Sequence, residues 1–278
     1  MNNIGIMQSR LTKPYNRGIQ FFPHDEKWQN EFFLSEQIGL DYIEWIVADG
    51  DNPFFGGFER IENLKLVIQK SAIGIRAICL DYLMDLNWND KYNYIATSVN
   101  WISFIASRID CQTIVIPIYE KNLNITSITD LIIDPLRRNA TNTKIAFEFL
   151  DVDNLVGINF INDLNYPDKL CFREGSFGCC FDIGNNYKRD IIKEMEMYNN
   201  SNMLNHIHIK EKNILGESVS LGEGVFGRQY WKEIFKFLKT INYRGDFTLQ
   251  VARGKEGEEK EAVKKQLEFV KGLINETD

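Results

Sequence analysis

The sequence predicts a (β/α)8 barrel, and three observations carry that prediction. Eight short runs rich in β-branched and aromatic residues recur about every 30 to 40 residues, the length of one strand–helix unit. Between them, apolar residues step by threes and fours, as a helix laid against a sheet requires. No glycine-rich dinucleotide turn follows the first run, which removes the main competitor, an open doubly wound sheet. At 278 residues, the whole chain (1–278) is expected to form one such barrel domain.

The predicted strands are "IGIMQ" (4–8), "YIEWIV" (42–47), "IRAICLD" (75–81), "TIVIPIY" (113–119), "KIAFEFL" (144–150), "GCCFDIG" (178–184), "HIHIK" (206–210) and "FTLQV" (247–251). Ile95, Val99, Ile102, Ala106 and Ile109 make one helical stripe. Trp231, Phe235, Leu238 and Ile241 make a second, and Val263, Leu267, Val270 and Ile274 a third. Glycines in "IGLDY" (38–42) and "NYRGDF" (242–247) fall where a helix must stop before the next strand.

Composition narrows the function. With 44% apolar residues the chain can bury a large core. A net charge of −7 argues against a nucleic-acid surface, which needs a basic footprint. No run of about 18 apolar residues exists, and "MNNIGIMQSR" lacks the basic start and apolar centre of a signal peptide. A soluble, cytoplasmic protein with no membrane partner is expected, and a homo-oligomer is left open. Five cysteines without CxxC spacing read as buried reduced thiols rather than a zinc–thiolate site.

In such a barrel, polar residues at the C-terminal ends of the strands face the active site. Alternation assigns Glu44 to that interior face in strand two and Asp81 in strand three. Strand five offers Glu148, strand six Asp182, strand seven His206, His208 and Lys210, and strand eight Gln250. Each interrupts an apolar run, where an unpaired charge is costly. Glu148, Asp182, His208 and Gln250 come from consecutive strands and can converge on one point. Two carboxylates, an imidazole and an amide oxygen meeting there most simply imply one divalent cation. Glu44 and Asp81 read equally well as members of a buried hydrogen-bond network, and His206 reads as a satisfied core histidine.

Several motifs strengthen this reading. "GIMQSRL", "FDIGN", "HIHIKE", "SLGEGVF" and "GDFTLQVAR" occur in an order that resembles the sugar phosphate isomerase/epimerase family of the xylose isomerase-like TIM barrels. The resemblance runs along nearly the whole chain, with Ser9 where glycine is usual. It implies a metal site (manganese, magnesium, cobalt or zinc) with Glu148, Asp182 and His208 as three ligands. Gln250 stands at the fourth position, where the epimerases carry a second catalytic glutamate. It also implies a small-molecule partner, a sugar or sugar phosphate, bound near Gln8, Glu44, Asp81, Asn185 and Arg253.

The chemistry follows. Isomerases and epimerases remove a proton from carbon beside a carbonyl, forming an enediolate. An amide can ligate a cation but cannot take up that proton, so Glu148 is the expected base. An opposite-face acid for epimerisation would be Lys210, Glu44 or Asp81, with Lys210 preferred for its place one inward step above His208. Arg253 and the glycines Gly222, Gly224 and Gly227 are candidates to hold a phosphate; the alternative is a surface arginine and a turn cluster. "DGDNPFFGG" (49–57) and "YLMDLNWND" (82–90) read as aromatic loops over the mouth. A keto-polyol dehydratase or lyase on the same barrel, or a non-catalytic sugar-binding barrel, remains as an alternative function.

Overall fold

A computed structural model of the chain describes residues 2–13, 26–48, 52, 57–84, 86–88, 90–139, 142–165 and 176–277. Eight strands form a closed parallel barrel: β1 (Ile4–Met7), β2 (Tyr42–Ile46), β3 (Gly74–Cys79), β4 (Thr113–Tyr119), β5 (Lys144–Leu150), β6 (Phe177–Asp182), β7 (Leu204–Ile209) and β8 (Asp246–Leu249). Closure comes from β8 pairing with β1, Ile4 opposite Phe247. Every strand lies within two residues of the run that alternation picks out.

The helices are α1 (Asn30–Ile38), α2 (Phe58–Ser71), α3 (Tyr92–Arg108), α5 (Asn154–Asn165), α6 (Ile191–Asn200), α7 (Gly227–Thr240) and α8 (Glu259–Thr277). The fourth, α4, runs through Ile125–Ile128, a π-helical Thr129–Ile133 and Asp134–Asn139. Pro135 explains the widened turn, because it offers no N–H to the carbonyl four residues back and crowds it. Ile95, Val99, Ile102 and Ala106 of α3 are buried, as are Trp231, Phe235 and Leu238 of α7 and Val263, Leu267 and Val270 of α8. Each of the larger aliphatic side chains contributes roughly 1.5–3 kcal/mol to the packed layer between helices and barrel.

The two predicted helix stops differ. Gly39 closes α1 in the left-handed region at φ 79, with its N–H bonded back to the Glu36 carbonyl. After α7, the left-handed residue is Asn242 at φ 52, not the expected glycine. Gly245 instead makes room for the Tyr243 side chain, whose hydroxyl would lie 2.2 Å from a Cβ there.

Register fixes the level of each functional residue. Asp182 pairs with His208, His208 with Thr248, and Glu44 with Met7. Lys210 and Gln250 therefore stand one inward step above His208 and Thr248. After β7 the chain makes a small antiparallel hairpin, Glu211–Lys212 against Ser218–Val219, before α7. Among the described residues, no helix is long and apolar enough to cross a membrane.

Candidate metal and proton-transfer site

Strand alternation carries Glu148, Asp182 and His208 to one point at the C-terminal end of the barrel. One ligand atom from each lies within 4.8 Å of the others. His208 Nδ1 sits 3.7 Å from Glu148 Oε2. Both His208 Nδ1 and Asp182 Oδ2 are buried without a hydrogen-bond partner. A native interior rarely leaves two such atoms unsatisfied side by side, and an imidazole lone pair beside carboxylate oxygens is the donor set of a divalent cation. The residues fit a metal.

The layer beneath explains how His208 presents that nitrogen. Glu44 is fully buried and accepts from His206 Nε2 at 2.8 Å, His208 Nε2 at 2.9 Å and the Thr248 hydroxyl at 2.6 Å. Burial alone would raise its carboxyl, but the imidazoles of His208 and His206 outweigh it and hold Glu44 well below the usual carboxylate range. An ionised carboxylate has no proton to give, so both Nε2 atoms must donate. In neutral His208 that leaves Nδ1 as the free lone pair facing Glu148 and Asp182. Tyr42 extends the network, its hydroxyl bonding the Phe247 carbonyl at 2.9 Å and Thr248 Oγ1 at 2.8 Å. Gly5 gives the Tyr42 ring its space, since a Cβ there would come within 2.4 Å.

Electrostatics separates the cluster's members. Burial, countered by the attraction of His208 and Lys210 and aided by repulsion from Asp182, pushes Glu148 up to about 7. Burial works against charge on His208, yet Glu44, Glu148 and Asp182 together bring it up to about 9. Those protons are what a cation entering the cluster would displace.

Asn185 ties the carboxylates together. Its backbone N–H donates to Asp182 Oδ1 at 2.8 Å and its side-chain amide to Glu148 Oε1 at 3.0 Å. Lys210 lies above, donating to Gln250 Oε1 at 3.1 Å and Asn185 Oδ1 at 3.3 Å, with its ammonium 3.7 Å from Asp182 Oδ2. Gly184 permits this path: a Cβ there would meet the Lys210 stem at 2.6 Å. The Gln250 amide nitrogen faces the Met7 sulfur at 3.3 Å.

The other predicted residues are placed as follows. Gln8 is fully buried at the end of β1; its Nε2 donates to Ser9 Oγ at 3.0 Å and its Oε1 has no hydrogen-bond partner. Ser9, where the resembled family has glycine, takes the left-handed backbone at φ 73 that glycine adopts without penalty. Asp81 opens a 3-10 turn, Asp81–Met84, near enough to help raise Glu148. Glu44, expected among the substrate contacts, lies a layer below the ligands with both oxygens engaged. Arg253 donates to the Thr12 carbonyl at 2.6 Å in the field of Glu31 and Glu259.

Two loop expectations are corrected. The amides of Gly222, Gly224, Phe226 and Gly227 do not form an open phosphate cradle, because all four donate to the buried Glu211 carboxylate. Trp231 Nε1 donates to it as well, at 2.8 Å. The aromatics of 82–90 face the core rather than the mouth: Tyr82 and Trp88 are buried, with Trp88 Nε1 bonded to the Leu83 carbonyl at 3.0 Å. Most of 49–57 lies outside the described residues, as does Cys171. The other four cysteines are free and buried. Cys180 approaches His206 and His208, but both imidazoles commit Nε2 to Glu44, and burial holds the Cys180 thiol far above its usual range.

Sequence reasoning missed Arg10, Glu211 and Thr248. Arg10 is buried at the end of β1, where its guanidinium donates to the Val251 and Gln8 carbonyls. Burial and the nearby Arg253 lower it to about 10. Alternation from His206 and His208 through Lys210 drew attention away from Glu211, yet a charge following directly on an apolar strand was the available signal.

The match of a family model decides the relationship: residues 32–273 fit the xylose isomerase-like TIM barrel. The chain belongs to that family. No curated protein sequence matches it. Among solved structures of similar fold, D-allulose 3-epimerase from Methylomonas sp. in complex with D-allulose is 14% identical. It has a TM-score of 0.71, over 98% of this chain and 97% of that one. The IolI protein with a bound zinc atom is 15% identical, with a TM-score of 0.69 over 100% and 99% of the two chains. The probable 3-DHS dehydratase AsbF from Bacillus anthracis is 12% identical, with a TM-score of 0.64 over 97% and 98%. At these identities the likeness is one of fold.

Proposed function

We propose that the protein is a divalent-metal-dependent isomerase or epimerase of a sugar or sugar phosphate, with Glu148 as the base. The observation that carries this reading is the pair of unsatisfied buried atoms, His208 Nδ1 and Asp182 Oδ2, beside a carboxyl raised to about 7. Proteins of similar fold that hold D-allulose or zinc support it. Glu148, Asp182 and His208 would hold the cation, with the Gln250 oxygen, which accepts from Lys210 at 3.1 Å, as the fourth ligand. Bound there, the cation would draw electron density from a substrate carbonyl and its neighbouring hydroxyl, easing loss of the proton between them.

The chain's own groups do the rest. Glu148, ionised once the cation has displaced its proton, is the carboxylate placed to take up the carbon-bound proton and return it. Asn185 holds the oxygen of Glu148 that does not face His208, fixing the direction of approach. Gln250 cannot take a proton, and both oxygens of Glu44 are engaged in the layer below, so an acid for the opposite face of the substrate would be Lys210 in this reading, with Asp81 as the alternative. Isomerisation needs Glu148 alone, whereas epimerisation needs that acid as well.

The test is wash-in of solvent deuterium at the substrate carbon, followed by proton NMR across a sugar and sugar-phosphate panel at saturating manganese. Glu148→Gln keeps an oxygen ligand and loses the base, so exchange should fall by roughly 10²–10⁴-fold while metal is retained. Gln250→Ala should weaken metal binding, and excess metal should partly restore turnover. Normal exchange by metal-loaded Glu148→Gln would move the base elsewhere. Loss of water from the substrate would instead favour a dehydratase, the activity in the name of one neighbour of similar fold.

A further inference from the structure

The mouth of the barrel carries a second feature beside the carboxylate cluster. A cavity of about 450 Å³ opens above the ends of β5 and β6, lined by Tyr119, Phe149, Asn185, Lys188, Arg189 and Lys212 among others. Volumes in this range accommodate a small ligand. Three of its lining residues are cations, and the carboxylate lining it is Asp151. Glu194 stands behind Arg189, 3.7 Å from the guanidinium.

Two of those cations are drawn together from different elements. Lys188, in the loop after β6, places its ammonium 5.4 Å from the centre of the Tyr187 ring. Lys212, in the hairpin after β7, places its own 5.6 Å from the same ring. Like charges lining one cavity repel each other, and an anion bound in it relieves that repulsion. Partial burial and the charge of Lys210 lower Lys212, against the opposing pull of Asp182, Asp151 and Glu148.

Asn185 connects this cavity to the reacting centre. It lines the cavity while hydrogen-bonding Asp182 and Glu148. Asn185 is thus shared by the cavity and the carboxylate cluster. Arg253 donates to the Thr12 carbonyl and is not among the residues that line this cavity.

We infer that the cavity formed by Lys188, Arg189 and Lys212 is a subsite for the anionic terminus of the substrate, a phosphate monoester or a carboxylate. The inference deepens the sugar isomerase reading by naming the substrate class as an acidic sugar. Its test does not depend on turnover. Inorganic phosphate and, separately, acetate are titrated into the full chain with chelator present, followed by calorimetry and phosphorus NMR. Wild type should saturate with one of them. The Lys188→Ala/Lys212→Ala double variant should raise its Kd by at least about tenfold, with thermal melting unchanged. Arg253→Ala should bind as wild type does. Preference for phosphate identifies a phosphate monoester as the natural terminus, and preference for acetate a carboxylate. Failure of wild type to bind either anion at tens of millimolar would overturn the inference, as would loss of binding in Arg253→Ala with retention in the lysine variant. Anion binding without deuterium exchange would leave this subsite standing while removing the isomerase reading, and the reverse result would do the opposite.

Discussion

Glu44 and Glu148 are both buried and both face His208, from opposite edges of the imidazole, yet their carboxyls are driven in opposite directions. Glu44 meets three donors, His206, His208 and Thr248, and is held well below the ordinary range. Glu148 accepts from Asn185, has Asp182 as a like-charged neighbour, and is pushed up to about 7. Burial is common to the two, so the count and charge of neighbouring donors decides the outcome. A carboxylate saturated with donors orients its neighbours. One left short of donors beside another carboxylate keeps the capacity to bind a cation and to move a proton.

The sharpest way to break this contrast is to remove the charge that saturates the lower layer. Glu44→Gln leaves two imidazoles facing a neutral amide and should cost about 3–5 kcal/mol of stability, as losing one member of a buried pair does. With His208 no longer locked with Nε2 as donor, metal affinity should also fall by roughly 10–100-fold. Chemical denaturation and a metal-indicator competition measure the two effects. Unchanged metal affinity in a folded variant would show that Glu44 does not orient His208. The sign of its pH dependence is set by the depressed carboxyl: Glu44 contributes fully above its unfolded pKa of about 4.3 and loses that contribution only as pH falls toward its lower folded value.

Glu211 is the control for a saturated carboxylate whose hydrogen bonds go to the loop amides and Trp231 rather than to the metal ligands. Glu211→Gln turns an amide toward four backbone N–H groups and the Trp231 indole, and should cost about 3 kcal/mol. Metal affinity should stay at the wild-type level. Weakened metal binding in that variant would mean that the loop of 221–227 also shapes the cation site.

A third effect is graded by pH. A cation takes the ionised carboxylate and the neutral imidazole. Affinity should therefore rise with pH as Glu148 releases its proton near 7 and His208 near 9. Each displaced proton is worth about tenfold per pH unit below its pKa. Competition titrations from about pH 6 to 10, spanning both groups, should climb and then level off. A flat profile would show that these groups hold no proton for the cation to displace.

Much of this molecule is legible in the sequence alone. The period of two in "KIAFEFL", "FDIG" and "HIHIK" assigns Glu148, Asp182 and His208 to one face, because successive strand side chains leave on opposite sides. The period near 3.6 in α3, α7 and α8 marks the buried helix faces for the same kind of reason. Alternation also sets Lys210 and Gln250 one step above the ligands, and the folded barrel joins them at 3.1 Å.

Depth and partnership were decided only by closure of the barrel. Period two tells which face a residue occupies, but not whether its layer is open to the mouth or sealed beneath it. Glu44 therefore looks like a substrate contact until β2 and β7 are placed across the interior from each other, bringing together residues 162 and 164 positions apart. The glycines of "SLGEGVFG" look ready for phosphate until the Glu211 carboxylate is placed beneath their amides. Lys188 and Lys212 lie in separate loops and reach the same Tyr187 ring because β6 and β7 are neighbours in the sheet. Local periodicity is a property of the backbone and can be read from the chain. Which polar atoms find partners, and which are left to bind something else, depends on side chains distant in sequence, and only the packed barrel brings them together.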